Sequence, residues 1–217
     1  MIIAIDGPSA AGKGTLARRL AAALDFAFLD TGLIYRAVGA KVLARGLAPA
    51  DSAAAEREAA DLRPEDLEPA NLGADLRAEA VSQAASEVAA HPEVRAALLA
   101  FQRRFAAAPP GGKAGAVLDG RDIGTVVCPD AEVKVFLTAG LEARAERRLK
   151  ELRERGEEAI YPRVLQEMQD RDTRDSGRAA APRKPADDAI VLDTTEMDGD
   201  AVFAAVLAVA QARLSGD

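Results

Sequence analysis

Short apolar runs alternate along the chain with longer amphipathic patterns. Residues 2–5 form an apolar run rich in β-branched side chains that stops at Asp6, Gly7 and Pro8, which is typical of a strand buried on both faces of a parallel sheet. Further runs of this kind cover residues 27–29, 116–118, 133–137 and 189–192. At least one helical pattern separates each run from the next. This alternation predicts an α/β fold with a doubly wound, five-stranded parallel sheet.

Helical patterns lie between and after these runs. A helix is expected from about Lys13, and an amphipathic one over residues 141–156, where Gly156 suits the C-cap. Another is expected to begin near Tyr161. The last covers residues 201–214 and is expected to pack on the sheet.

Two regions interrupt the alternation. Residues 47–75 contain no convincing strand, and residues 75–107 predict two helices divided at His91 and Pro92. We therefore expect a mostly helical insertion over about residues 47–107. Residues 153–162 are charged and contain a helix stop, so we expect a short, mobile lid there. A single domain over residues 1–217 would then have its core in residues 1–46, 108–152 and 163–217.

Composition narrows the classes of protein. Of 217 residues, 49% are hydrophobic and 29% charged, which excludes collagenous, mucin-like and wholly disordered chains. The net charge of −7 argues against a nucleic-acid polymer as main partner. The single cysteine, Cys128, excludes an internal disulfide and suits a reducing compartment. Without a leader or a long apolar stretch, we expect a cytoplasmic protein with no membrane partner. We also expect a monomer.

The strongest chemical signal is a glycine-rich loop between the first predicted strand and the first predicted helix. Its backbone N–H groups, the positive helix end and a lysine ammonium would converge on phosphate oxygens. The general pattern has Ser or Thr directly after the lysine, whereas here Gly14 intervenes and Thr15 comes one later. A direct bond from Thr15 to Mg²⁺ is therefore less assured. The loop comprises Gly7, Pro8, Ser9, Ala10, Ala11, Gly12, Lys13, Gly14 and Thr15.

Candidate ligand contacts also follow the second and third strands. Thr31 and Arg36 come after the second strand, at the edge where doubly wound sheets bind ligands. A plain N-cap at Thr31 and a solvated Arg36 are the structural alternative. Asp119 ends the third strand, so we expect its carboxylate beside the loop, holding hydrated Mg²⁺, with Arg121 and Asp122 on the rim. A turn with surface charges is the alternative there.

A third cluster lies near the predicted helix that begins at Tyr161. If that helix continues, Arg171, Arg174 and Arg178 share one face at spacings i, i+3 and i+7, with Asp175 beside them. The planar guanidinium fork suits phosphate because it binds two oxygens at once. A salt-bridged, exposed helix is the alternative.

Together these segments resemble the bacterial cytidylate kinase family. The resemblance covers nearly the whole chain, since IDGPSAAGKGT, LDTGLIYR, AASEVAAHPEVRAALL, LDGRDIGTVVCPDAEVKVFL, RDTRDSGR and ADDAIVLDTT occur in the family's order. It implies a P-loop nucleoside monophosphate kinase fold with a helical monophosphate-binding insertion and a lid. It also implies phosphorylation of CMP and dCMP by ATP, with Mg²⁺, in pyrimidine nucleotide metabolism.

The resemblance also implies residue roles. The loop of residues 7–15 would hold ATP, and Asp119 and Thr15 would hold Mg²⁺ directly or through water. Five residues would surround the CMP phosphate: Thr31, Arg36, Arg121, Arg171 and Arg178. Three would read cytosine, namely Ser86, Arg95 and Asp122, and Asp175 would contact the sugar. Lys13, Arg121, Arg171 and Arg178 would be catalytic.

Three points stay open at this level. Many family members carry a small β-sheet in the insertion, and residues 62–75 are too short for it, which leaves closure of that lobe in doubt. Without the resemblance, Ser86 and Arg95 would be interpreted as ordinary residues on a helix surface.

The function also has alternatives. These are kinases that use UMP or AMP, and a non-catalytic nucleotide-binding regulator. A guanine-nucleotide switch is excluded because no Asn/Thr-Lys-x-Asp motif is present.

Overall fold

The central sheet is parallel and has the spatial order β2-β3-β1-β4-β5. This computed structural model describes residues 1–67, 75–76, 78–177 and 184–215. The apolar runs become strands, of which the first four end one or two residues later than predicted and the fifth is shifted by one residue. They are β1 (Ile2–Asp6), β2 (Ala27–Asp30), β3 (Ala116–Gly120), β4 (Val133–Thr138) and β5 (Ile190–Asp193). The predicted α/β class and doubly wound sheet are confirmed.

The position of β1 explains its continuous apolar run. It pairs with β3 on one side, where Ile5 is opposite Asp119, and with β4 on the other. Ile3 and Ile5 are fully buried because helices cover both faces of the strand. The segments that follow β1 and β3 consequently leave the sheet at neighbouring points of one edge.

The described helices connect these strands. They are α1 (Lys13–Leu24), α2 (Thr31–Ala44), α3 (Ser52–Ala60), α4 (Glu79–Val88), α5 (Pro92–Ala107), α6 (Leu141–Glu154), α7 (Tyr161–Ser176) and α8 (Gly199–Ser215). Short 3₁₀ turns occur at Pro64–Leu67 and Pro110–Gly112, and a single π-helical turn at Ile123–Val127. None of the described helices is both long and apolar enough to cross a membrane.

The chain forms two compact units, one of residues 1–29 with 106–217 and one of residues 30–105. In the first unit, α1 and α8 pack on the sheet through a cluster that includes Ile3, Leu20 and Val206. A second cluster joins α6 to α7 through Ala145, Leu152, Val164 and Met168, with Ala10 packed against it. The glycine-rich loop of residues 7–15 thus contacts both apolar clusters, the first through Ala11 and the second through Ala10.

The second unit is built on α2, which packs against α3 and α4. A Cβ on Gly39 would lie 3.0 Å from the Ala85 backbone nitrogen, so glycine lets α2 and α4 approach closely. The unit begins at Asp30 because α2 belongs to it. Among the described residues from 47 to 105, every regular element is helical.

The expected lid lies between α6 and α7, and two of the arginines expected to share one helical face lie at the end of α7. α6 ends at Glu154, and Gly156 follows with φ +78°, the left-handed conformation expected after a C-cap. Residues 155–160 connect it to α7. α7 carries Arg171 and Arg174 and ends at Ser176. Arg178 lies outside the described residues.

Candidate active site

The glycine-rich loop leaves β1 in a conformation that its glycines allow. Gly7 has φ +144° and Gly12 has φ +94°, and Ala10 is also left-handed at +57°. A Cβ on Gly7 would lie 2.1 Å from the Leu137 carbonyl oxygen, which no side chain tolerates. Glycine at position 7 is therefore required by both conformation and space.

The lysine of the loop bonds to the loop itself. Lys13 is buried, and its Nζ donates to the Pro8 carbonyl oxygen at 2.8 Å. The side-chain oxygen Oγ of Ser9 is buried and has no hydrogen-bond partner among the described residues. A buried hydroxyl of this kind is costly unless a ligand engages it. The loop therefore offers an ammonium and a hydroxyl to an anion.

Asp119 lies over the first turn of α1. Its Oδ2 is 3.2 Å from where a Cβ on Gly14 would stand. A side chain at position 14 would require this carboxylate to shift by a few tenths of an ångström. Thr15 is on the same turn and exposed.

Asp119 and Thr15 fit a magnesium site in which substrate phosphates supply some of the ligands. No described cluster of three or more His, Cys, Asp or Glu residues would hold a metal by itself. Mg²⁺ is commonly bound by one or two carboxylates together with substrate phosphates and water. Asp119 and Thr15 supply the oxygen ligands that such a site takes from protein.

A second buried carboxylate, Asp6, connects β1 to the segment after β3. Its Oδ1 and Oδ2 accept hydrogen bonds from the backbone nitrogens of Ile123 and Gly124, both at 2.8 Å. Burial raises the pKa of Asp6 to about 6, and Asp122 adds to this, while the two amides and Lys13 oppose it. Sequence reasoning took Asp6 only as the end of a strand and missed this contact.

Two of the residues that the resemblance assigns to CMP contact each other in the first unit. Arg121, just after β3, donates from Nε to Asp175 Oδ2 at 3.0 Å, and Asp175 is only 2% exposed. Arg171 lies one helical turn before Asp175 on α7 and so shares its face. The exposed-helix alternative is therefore wrong for Asp175.

The other candidates lie in the second unit. Asp30 is the N-cap of α2, accepting from the Leu33 nitrogen at 3.2 Å, so the alternative that made Thr31 the cap is wrong. Arg36 pairs with Asp30 at 4.0 Å. Ser86 is only 2% exposed, which contradicts its interpretation as a surface residue. The Arg95 guanidinium stands 5.5 Å from the centre of the Tyr35 ring.

A cavity of about 230 Å³ lies beside the phosphate-binding loop. Its lining includes Thr15 and Arg19 of α1, Arg147 of α6, and Thr194 and Met197 after β5. Thr194 donates to the Ala11 carbonyl oxygen at 3.2 Å and accepts from Arg147 Nη1 at 3.2 Å. Sequence reasoning missed this site, although the segment ADDAIVLDTT that leads into it was already noted.

Two further side chains, those of Cys128 and His91, lie outside the candidate site. Cys128 is buried. His91 Nε2 lies 2.9 Å from the Pro49 carbonyl oxygen. Cys128 is therefore packed inside the protein, and His91 bonds to the backbone 42 positions earlier in the chain.

A doubly wound parallel sheet with a glycine-rich loop, an enclosed lysine and a neighbouring carboxylate defines a P-loop protein. The cytidylate kinase family model matches residues 3–212. A cytidylate kinase of Paramagnetospirillum magneticum is 66% identical over 208 residues, 96% of each chain, and one of Rhodospirillum rubrum is 57% identical over 95% of each chain. This chain belongs to the cytidylate kinase family.

A solved structure is similar in fold. The crystal structure of an uncharacterized protein from Eubacterium ventriosum ATCC 27560 superimposes with a TM-score of 0.52 and 14% sequence identity. The match covers 97% of this chain and 98% of that one.

Proposed function

We propose that this protein transfers the γ-phosphoryl group of ATP to CMP and dCMP, forming CDP or dCDP and ADP. The observation that carries the proposal is the pairing of β1 with β3. It sets the loop that encloses Lys13 beside the segment that carries Asp119 and Arg121. Family membership and the names of the curated relatives support the acceptor.

The donor nucleotide is assigned to the first unit. Residues 7–15 bind the phosphates of ATP through backbone amides, and Lys13 exchanges its bond to Pro8 for one to a phosphate oxygen. Asp119 and Thr15 would hold Mg²⁺, directly or through water. When bound, the ion neutralises charge on the β- and γ-phosphates and orients them. We assign the adenine base to the cavity lined by Arg147, Thr194 and Met197, because this cavity of about 230 Å³ lies directly beside the loop that binds the phosphates.

The acceptor nucleotide is assigned to arginines and to base-reading side chains. Thr31, Arg36, Arg121, Arg171 and Arg178 bind the CMP phosphate, and Asp175 contacts the sugar. Ser86, Arg95 and Asp122 read the base. Cytosine presents an amine donor next to a ring-nitrogen acceptor, so a carboxylate together with a hydroxyl or cationic donor distinguishes it from uracil.

The chemistry requires alignment more than proton transfer. A CMP phosphate oxygen attacks the γ-phosphorus in line, a new P–O bond forms, and the bond to the β–γ bridging oxygen breaks with its electron pair left on ADP. No side chain needs to deprotonate the acceptor, because its phosphate is already anionic at neutral pH. Both reactants are anions, so Lys13 and the arginines offset their repulsion.

The remaining parts of the architecture have supporting roles. We propose that residues 47–107 bind the monophosphate nucleotide and that residues 153–162 act as a lid. Closing the lid expels water and so suppresses wasteful ATP hydrolysis. The enzyme is proposed to act as a monomer in the cytoplasm.

An acceptor panel tests the function. Purified protein with ATP and Mg²⁺ is given CMP, dCMP, UMP or AMP, and both ADP release and the phosphorylated product are measured. The expected result is the highest kcat/KM with CMP and dCMP. A higher kcat/KM with UMP or AMP would show that the protein is a UMP or AMP kinase. ATP binding without transfer to any acceptor would show that it is a non-catalytic nucleotide-binding regulator.

A further inference from the structure

The guanidinium of Arg144 on α6 joins the phosphate-binding loop to α7. Its side chain is only 5% exposed. The Nε donates to the Ala139 carbonyl oxygen at 2.9 Å, and Nη1 donates to the Ser9 carbonyl oxygen at 3.4 Å. The same group forms a two-pronged ion pair with Asp172, from Nη1 to Oδ1 at 3.3 Å and from Nη2 to Oδ2 at 2.5 Å. One side chain therefore touches the loop, the end of β4 and α7.

We propose that Arg144 is a positioning residue for phosphoryl transfer, a role that rests on the proposed function. Asp172 directly follows Arg171, which is assigned to the acceptor phosphate. The chain of contacts from Ser9 through Arg144 to Asp172 therefore fixes the loop relative to Arg171. Transfer requires donor and acceptor phosphates to be aligned, and this contact aligns the residues that hold them.

The contact with Ser9 also affects the loop itself. A carbonyl oxygen turned toward a bound phosphate would repel it, whereas backbone N–H groups attract it. Because Arg144 engages the Ser9 carbonyl, that oxygen is held by a charged donor instead of facing a ligand. The guanidinium thereby favours the loop conformation that binds an anion.

Packing already holds α6 against α7, so Arg144 is not needed for that purpose. The cluster of Ala145, Leu152, Val164 and Met168 covers their interface. Ala10 of the loop also packs on this cluster. Apolar contacts are non-directional, whereas the planar fork of Arg144 specifies one arrangement. Lysine carries the same charge but cannot form the paired bonds to Asp172 and the bond to Ser9 together.

The test uses Arg144→Ala, Arg144→Lys, Asp172→Asn, Asp172→Ala and the double variant Arg144→Ala with Asp172→Ala. Lys150→Ala is the matched control, because Lys150 is a basic residue of the same helix that is 79% exposed and pairs with Glu154 at 3.9 Å. For each protein we would measure kcat, both KM values, ADP affinity by calorimetry and urea unfolding. Hydrogen exchange of residues 7–15 without nucleotide reports on the loop directly.

Arg144→Ala is expected to lower kcat about 10²-fold, the scale of a misplacement of about 1 Å, with little change in the KM for CMP. Arg144→Lys should not restore kcat, and the double variant should lose no more than Arg144→Ala alone. Arg144→Ala should also bind ADP more weakly, and its loop amides should exchange faster. Lys150→Ala should behave as wild type. If Arg144→Ala does not fold, Arg144→Lys and Asp172→Asn carry the same comparison.

Three results would overturn the proposal. The first is an Arg144→Ala variant that is less stable but keeps the wild-type kcat, and the second is full activity of Arg144→Lys. The third is a double variant whose loss of kcat equals the product of the two single losses. Failure of the proposed function would differ from all of these. In that case wild type would transfer no phosphate to CMP, while Arg144→Ala would still bind ADP more weakly and exchange its loop amides faster.

Discussion

Gly7 and Leu137 approach so closely that a Cβ on Gly7 would stand 2.1 Å from the Leu137 carbonyl oxygen. The first residue of the phosphate-binding loop thus passes directly over the end of β4. Leu137 also lines the cavity assigned to the adenine base. Packing of the sheet and the shape of the nucleotide site consequently depend on the same contact.

Gly7→Ala is expected to abolish ATP binding and to lower the free energy of unfolding by more than the roughly 1–3 kcal/mol of an unfavourable backbone conformation. The excess comes from overlap with backbone, which cannot rotate away. Urea unfolding and calorimetry measure both effects. Gly46→Ala is the control, since Gly46 has φ +67° and nothing within 4 Å of its Cβ position. Equal losses in the two variants would refute the steric explanation.

Asp119→Asn is expected to raise the Mg²⁺ concentration needed for half-maximal activity, because the neutral amide is a weaker ligand than the carboxylate. Titration of Mg²⁺ at fixed ATP measures the change. Asp188→Asn is the matched control, since Asp188 is an exposed carboxylate paired with Lys134 at 2.8 Å. An unchanged Mg²⁺ requirement in Asp119→Asn would remove Asp119 from the metal site.

Arg121→Ala is expected to lower kcat by roughly 10³- to 10⁵-fold, the contribution of an arginine that stabilises a transferring phosphoryl group. ATP binding should persist, because Arg121 pairs with Asp175 and is not part of the loop. Single-turnover kinetics and ADP calorimetry separate the two effects. Arg163→Ala on α7 is the control, since Arg163 is 73% exposed. Wild-type turnover in Arg121→Ala would remove Arg121 from the catalytic residues.

Stability should depend on pH through Asp6. Below pH 3.8 this carboxyl is protonated in both the folded and the unfolded chain. As the pH rises from 3.8 to about 6, the unfolded chain releases its proton first, so this group's stabilisation is lost across that window. The roughly two-unit difference corresponds to about 3 kcal/mol.

Urea unfolding at several pH values, compared between wild type and Asp6→Asn, isolates this effect. The free energy of unfolding of wild type should fall relative to that of Asp6→Asn across the window. Parallel profiles would show that the pKa of Asp6 is not raised. The variant should also be less stable at neutral pH, because an amide cannot accept from both Ile123 and Gly124.

Local patterns predicted the strands and the loop because the residues that signal each of them are neighbours in the sequence. The run at residues 2–5 is apolar because both faces of β1 are covered, and Lys13 begins α1 directly after Gly12. The double amide contact of Asp6, the cavity at Thr194 and the contacts of Arg144 were missed. Each joins segments far apart in the chain, and a single side chain carries no signal of its distant partner. Asp30 was passed over as the cap of α2 because Thr31 is also a good capping residue.

The bond from Thr194 to Ala11 spans 183 positions of the chain. During synthesis the glycine-rich loop therefore leaves the ribosome long before the threonine that supports it. Nucleotide therefore has no finished pocket to occupy while the polypeptide is still being made. If ATP protects the protein against proteases, that protection is expected only after synthesis has passed β5.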